Sequence, residues 1–336
     1  MATVKAKDVL NATLNSDPML RSLSPDRSLT IQQILAPVIT DPLALNTFIT
    51  NLYNKFIKSE VITGLYRNPL ARLKKSTRPY GDTIERMIFN PATAMQYNIS
   101  QDTDNILTPA PPDVKVEYIR VTRQDKYAVT LPRNVIMQAF SSEDAFGEFL
   151  NGAINSLYNG DTIDEWTLMK KIVSDMTTQG YVNTVSVNGN GTDLAKALIN
   201  YAKWFRFPSQ NYNPYSIKYP DNKLTTWVDP ENIVIIARSD VMTDVRIDVL
   251  AAAFNLSEVE LSSNIIEVDE FEPVTVDEDE KNIKAIICDA SFFQVHDTLT
   301  ELDTFQRADY LSTKSYWHHW QTMTCSLFAN AQVITD

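Results

Sequence analysis

The sequence predicts an α+β protein in which a long helix, a mixed α/β layer and a closing set of strands share one core. Three observations predict it. A helical pattern runs from Ser141 to about Thr178, with Phe146, Phe149, Leu150, Ala153, Leu157, Leu168, Ile172 and Met176 recurring on one side. Short apolar runs at 232–238, 265–268 and 283–288 read as buried strands. The segment Ser315–Ile334 carries Trp317, Trp320, Phe328, Val333 and Ile334. Such side chains contribute about 1.5–3 kcal/mol each when buried, so this stretch must return to the core.

The elements follow in order. Residues 1–66 read as short helices broken by Pro18, Pro25, Pro37 and Pro42, because proline removes a donor and clashes inside a helix. The best helical piece is Leu43–Leu65, where Leu45, Phe48, Ile49, Leu52, Phe56 and Ile57 make one stripe. A helical arm with one apolar face must lie on its own domain or on a neighbour. Thr83–Phe89 and Val114–Thr122 read as strands, and in the second Val114, Val116 and Tyr118 alternate with Lys115, Glu117 and Ile119. The connection Asn90–Asp113 is long for a loop without structure of its own, which marks a functional or disordered segment.

Ser141-Ser142-Glu143-Asp144 is a helix start, with hydroxyl caps and acids placed for the dipole. The helix it opens spans about 54 Å at 1.5 Å per residue, and Gly160 marks a candidate bend. Asp161, Asp164, Glu165, Lys170 and Lys171 exclude a membrane span, and the pattern is too irregular for heptads. Thr192 can cap a helix to Trp204, Asp240–Phe254 reads as helix, and Phe292–His296 reads as strand.

The chain has 336 residues and a net charge of −12, spread unevenly. Residues 1–80 hold eleven Lys/Arg against five Asp/Glu, a local +6 that leaves −18 for 81–336. Two readings stand: differently charged solvated surfaces, or self-association through unlike patches, which opposite charge helps to orient. An acidic protein does not grip nucleic acid along its length. No apolar run approaches the ~20 residues of a membrane span, and the start of the chain lacks a secretory signal. Cys288 and Cys325 sit in apolar sequence and read as buried thiols of a reducing compartment.

Little in the sequence points to catalysis. His318 and His319 are adjacent, so on a strand they face opposite ways and cannot converge on one ion. They read as structural imidazoles beside Trp317 and Trp320. Asn188-Gly189-Asn190-Gly191 lacks the Lys-Ser/Thr of a phosphate loop and reads as a turn. Asp277-Glu278-Asp279-Glu280 lacks calcium-loop spacing and reads as a solvated acidic loop. No Gly-x-Ser-x-Gly elbow is present. No catalytic residue, cofactor site or metal site is assigned.

Several blocks, in order, resemble the major capsid proteins of phi-29-like podoviruses. They are Arg67-Asn68-Pro69-Leu70-Ala71-Arg72-Leu73-Lys74-Lys75 with Arg78–Glu85, Ile154–Asn159, Asp248–Asn255, and Trp320-Gln321-Thr322 with Ser326 and Phe328–Ala331. The resemblance covers roughly residues 67–334 and implies the Hong Kong 97-type capsid fold. It implies an N-terminal arm over 1–66, a hinge and extended loop over 67–130, and an axial α/β domain over 184–290. The peripheral domain would take 131–183 and 291–336, with the spine helix at 142–178. Asn90–Asp113 would then be the long hairpin that reaches over an adjacent subunit.

The function implied is a major head protein of the virion, assembled in the host cytoplasm. It would form pentamers and hexamers of an icosahedral shell around double-stranded DNA held without sequence specificity. A scaffolding protein and a portal (connector) protein would be partners, and no membrane is involved. An encapsulin-like nanocompartment shell and, more remotely, an α/β enzyme working through 181–290 are the alternatives.

Candidate inter-subunit residues are the basic Arg67, Arg72, Lys74, Lys75 and Arg78 and the acidic Asp102, Asp104 and Asp113. Charge reversal at Lys74 and Lys75 is expected to impair assembly more than folding. Some relatives continue into an immunoglobulin-like surface domain, whereas this chain stops at Asp336, so the shell is expected to be bare unless another protein decorates it. The Asn90–Asp113 loop has no lysine, so a shell without covalent cross-links is expected.

Overall fold

The computed structural model describes residues 6–24, 31–41, 43–45, 47–48, 51, 65–78, 83–94, 109–132, 143–187, 191–242, 264–276, 279–307 and 312–336. The chain divides into two compact units. The first takes 1–67, 124–164 and 299–319, and the second takes 68–123, 165–298 and 320–336.

In the first unit the proline-broken start forms α1 (Ala6–Leu14), α2 (Pro18–Leu23) and α3 (Ile31–Thr40). Asp17 caps α2 by accepting from the Met19 N–H at 2.8 Å, and Pro18 follows at the first helical position, where its missing donor costs nothing. Leu10, Leu14, Leu20, Ile34, Leu35, Val38, Leu45 and Phe48 bury themselves with Leu131 in one cluster. The described part of the arm therefore lies on its own unit. Residues 43–45, 47–48 and 51 of the expected Leu43–Leu65 helix are helical, and the remainder lies outside the described residues.

The ribbon of β1 (Ile84–Phe89) and β2 (Val114–Ile119) precedes β3 (Arg123–Pro132). The long helix, α4, is continuous from Glu143 to Thr178, 36 residues. It does not break at Gly160. A Cβ there would meet the Tyr127 ring at 3.4 Å, an ordinary contact, so the packing does not demand a glycine. The helix stops at Gly180, whose φ of 72° is in the left-handed region. Gly180 N–H donates to Thr177 O at 2.9 Å and Tyr181 N–H to Met176 O at 3.0 Å, the paired bonds that close a helix C-terminus over a glycine.

The second unit is organised by a five-stranded sheet ordered β4-β12-β9-β5-β6. Its strands are β4 (Asn183–Ser186), β5 (Ile233–Arg238), β6 (Ile265–Val268), β9 (Ile283–Asp289) and β12 (Ala331–Thr335). Alternate side chains divide between two clusters, as the two-residue period of a strand requires. Val234, Ile236, Ile286, Cys288 and Val333 join Trp166, Met169 and Val173 of α4. Ile233, Ile235, Ala285, Ile287 and Ile334 join Leu194, Leu198, Ala202 and Phe205 of α5 (Gly191–Phe205).

Every residue of β12 is buried, because β12 runs parallel to β4 on one side and antiparallel to β9 on the other. It thus completes the layer expected over 184–290, although 291–336 was expected with the long helix. Two short helices, α6 (Pro214–Lys218) and α7 (Ser239–Met242), also belong to the second unit. The expected helix to Phe254 otherwise lies outside the described residues. β7 (Val274–Val276) and β8 (Asp279–Lys281) form a hairpin, so Asp279 and Glu280 are strand residues where a loop was expected, though both are exposed. The strand expected at Phe292–His296 extends as β10 (Phe293–Arg307), which lies in a sheet ordered β10-β11-β3 with β11 (Ser312–Cys325).

Candidate subunit-contact surface

The ribbon forms as its alternation predicts, with Met87 opposite Val116 and Phe89 opposite Val114. Its faces are the reverse of what apolarity suggests. Lys115, Glu117 and Ile119 are buried, the two charged residues at 5% and 7% exposure. Met87, Phe89, Val114, Val116 and Tyr118 are exposed, Tyr118 at 65%.

The inward charges are held by specific partners. Glu117 accepts from Arg86 Nη1, Ser326 Oγ and the Leu327 N–H, each at 2.8 Å. Lys115 Nζ donates to Asp113 Oδ1 at 2.5 Å and to Asn222 Oδ1. Buried ions survive when paired and hydrogen-bonded in this way. The outward face is left with side chains that water does not reward. A contiguous exposed apolar patch marks an interaction surface.

The root of the ribbon is tied down. Asn90 N–H donates to Asp113 O at 2.8 Å, and Asn90 Nδ2 reaches Asp113 Oδ2 at 3.0 Å and Lys223 O at 3.1 Å. The Thr225 N–H donates back to Asn90 Oδ1 at 3.0 Å. Hydrogen bonds from Lys115 and Asn90 hold the Asp113 carboxyl below the usual carboxylate range. Asp113 is therefore a root residue with partners in its own chain. Asp102 and Asp104 lie outside the described residues.

The basic candidates separate into two groups. Arg67, Arg72 and Arg78 are exposed. Lys74 Nζ turns inward, 2.8 Å from Glu165 Oε2 and 3.0 Å from Asp297 Oδ1. Gln321 Nε2 donates to the same two carboxylates at 2.6 and 2.7 Å, and Asn68 Nδ2 donates to Glu165 Oε1 at 2.9 Å. Burial alone would lower the Lys74 pKa, but hydrogen bonds and charge from Glu165 and Asp297 outweigh it and raise it. Lys75 Nζ donates to Ala290 O at 2.9 Å, and burial lowers its pKa. Both lysines have partners in their own chain, so the expectation that charge reversal affects assembly more than folding is joined by a second one, that reversing Lys74 costs stability.

Each of the three histidines lies beside a polar group of its own chain. His319 Nδ1 lies 2.8 Å from Asp161 Oδ1, while Trp317 Nε1 donates to Asp161 Oδ2 at 2.9 Å. His318 faces away, 3.9 Å from Asp303. His296 Nδ1 lies 2.8 Å from Ser76 O. Burial pushes the Cys325 thiol up to about 12 and the Cys288 thiol further still, so neither is a thiolate at neutral pH.

The ribbon's inward charges and outward apolar row escape sequence reasoning, since alternation assigns two faces without saying which one meets protein. The one usable signal was Glu117 and Lys115 on a single parity.

Comparison with known proteins places these features. A family model described as Phi29-like phage major capsid protein matches residues 16–335. The major capsid protein of Bacillus phage B103 is 26% identical over 342 residues, covering 98% of this chain and 73% of that protein. The major capsid protein of Streptococcus phage Cp-1 is 28% identical over 304 residues, covering 85% of this chain and 81% of that protein. Among solved structures, the capsid of Staphylococcus phage Andhra is similar with a TM-score of 0.66 at 14% identity, over 82% of this chain and 86% of that one. The capsid of cyanophage P-SCSP1u gives 0.52 at 10% identity, over 82% and 90%. At such identities the structures show the fold alone, and it is the α+β capsid fold expected.

Proposed function

We infer the working of this protein from one premise: the chain belongs to the Phi29-like phage major capsid protein family. It is a major capsid protein, a component of a multi-subunit capsid shell in the virion. Beyond that, we propose that its copies group as pentamers and hexamers of an icosahedral shell enclosing double-stranded DNA. We propose a scaffolding protein and a portal as assembly partners in the host cytoplasm, and no reaction of the protein's own. The arm, extended loop, peripheral and axial divisions named above belong to the same proposal.

The single observation that supports this reading most is the ribbon. An enzyme gains nothing from an outward row of Met87, Phe89, Val116 and Tyr118, whereas a shell tile needs such a row to cover a neighbour. The exposed Arg67, Arg72 and Arg78 and the acidic Asp102 and Asp104 are proposed contacts of opposite sign. Asp113 is proposed as the residue that fixes the ribbon's root. With no lysine between Asn90 and Asp113, the contacts are proposed to be non-covalent.

The test is electron microscopy of particles formed by the wild-type chain and by Tyr118→Glu, with denaturing gels of the product. Wild type is expected to give closed shells that dissolve to single chains, with DNA inside mature particles. Tyr118→Glu is expected to fold and stay unassembled. Wild type that remains monomeric with its assembly partners overturns the reading. Protein cargo in place of DNA turns it toward a nanocompartment, and covalent ladders overturn the non-covalent part.

A further inference from the structure

Beside the outer edge of β1, within the second unit, lies a cavity of about 370 Å³. Arg86–Phe89 form one wall and Thr225–Trp227 another, with Phe328 among the lining residues. Among the described residues the strand β1 has a partner on one side only, since its sheet has two strands. The Asn90 N–H bonds to Asp113 O, so the alternation of an antiparallel pair turns the main-chain groups of Met87 and Phe89 away from β2, to the open edge.

Two of the lining aromatic side chains are left in water: Phe89 at 62% and Trp227 at 56% exposure. The segment of Trp227 is held by the bridge between Thr226 and Ser209, and the Val228 N–H donates to Phe205 O at 2.8 Å. An open strand edge flanked by exposed aromatics is a surface that proteins normally cover.

The charge on this surface selects what covers it. The lining holds one cation, Arg86, already paired with Glu117 at 2.8 Å, and one anion, Asp289. No surplus of positive charge is present to recruit a polyanion. The surface runs on from the outward face of the ribbon through Phe89, which belongs to both.

We propose that this groove anchors the contact between copies: an uncharged apolar segment of a second copy lies along the open edge of β1, with a large side chain held between Phe89 and Trp227. This rests on the shell reading above and names the part of the surface that carries most of the affinity. Buried aromatic anchors of this kind dominate interfaces, while the surrounding contacts exclude water.

The experiment places a photo-crosslinking benzoylphenylalanine at position 227 of the full chain and maps the product by mass spectrometry in particles. A covalent dimer joining residue 227 to another copy is expected, formed in particles and absent from unassembled chain. Crosslinking to a different protein or to nucleic acid, or no interchain product in well-formed particles, overturns the proposal.

In parallel, Trp227→Ala is expected to leave the Tm within about 3 °C of wild type, since the side chain is exposed, and to lower particle yield about tenfold or more. Normal yield from it, beside failure of Tyr118→Glu, removes the groove and keeps the shell reading. A monomeric wild type removes that reading itself.

Discussion

The strand β12 and the ribbon of β1 and β2 are built from the same kinds of residue and have opposite fates. In β12 every side chain, Val333 and Ile334 included, is sealed between β4 and β9. In the ribbon Val114, Val116, Met87 and Phe89 face out while Lys115 and Glu117 face in. Apolarity therefore does two jobs in this chain. In β12 it holds one copy together, and in the ribbon it is withheld from the fold, which is why the ribbon is the proposed contact. What separates the two is the supply of partners: Ser326, Leu327 and Arg86 satisfy Glu117 inside, which releases the apolar parity to the surface.

The sharpest way to break the comparison is a charge in each strand. Ile334→Asp puts an unpaired carboxylate between two strands and is expected to cost more than about 4 kcal/mol, leaving no folded protein by circular dichroism. Next in size is Lys74→Glu, which sets a third carboxylate against Glu165 and Asp297. It is expected to cost about 3–5 kcal/mol in urea unfolding, whereas Arg78→Glu at an exposed position stays within about 0.5 kcal/mol. An unchanged urea midpoint for Lys74→Glu would return that lysine to the list of contact residues.

Gly180→Ala follows, at roughly 1 kcal/mol, because alanine resists the left-handed conformation that ends α4. The smallest expected change in stability is Tyr118→Ser, within about 0.5 kcal/mol, although particle yield should collapse. If Tyr118→Ser proves as destabilising as Ile334→Asp, the ribbon belongs to the core of one copy and the comparison fails.

A mild acid titration sharpens the root of the ribbon. The Asp113 carboxyl titrates lower in the folded chain, so its contribution is complete above the unfolded value of about 3.9 and disappears as pH falls through the folded value. The protection factor of the Asn90 amide, taken against the intrinsic exchange rate at each pH, is expected to be flat from neutral pH to about pH 5 and to fall only in stronger acid.

Much of this was readable in the residues. The bounds of α4, the strands at 233–238, 265–268 and 283–289 and the return of 331–335 to the core follow from local periodicity and apolar cost. The faces of the ribbon were not, because the partner of Glu117 is Ser326, more than two hundred positions away. The intrachain partners of Lys74 and Lys75 were hidden for the same reason. A basic run looks solvated until Glu165, Asp297 and Ala290 O arrive from other elements. Gly160 shows a third limit: a glycine in a helical pattern suggested a bend, and the helix runs through it unbroken.

The position of β12 bears on how the chain is made. Synthesis runs from the N-terminus, so β4, β5, β6 and β9 leave the ribosome before the strand that belongs between β4 and β9. Until residues 331–335 emerge, the nascent sheet holds an open slot with two unsatisfied edges, each able to capture a strand from another chain. A polypeptide interrupted short of that point would be a sticky, unfinished product, and chaperone binding to it should persist until the slot is filled.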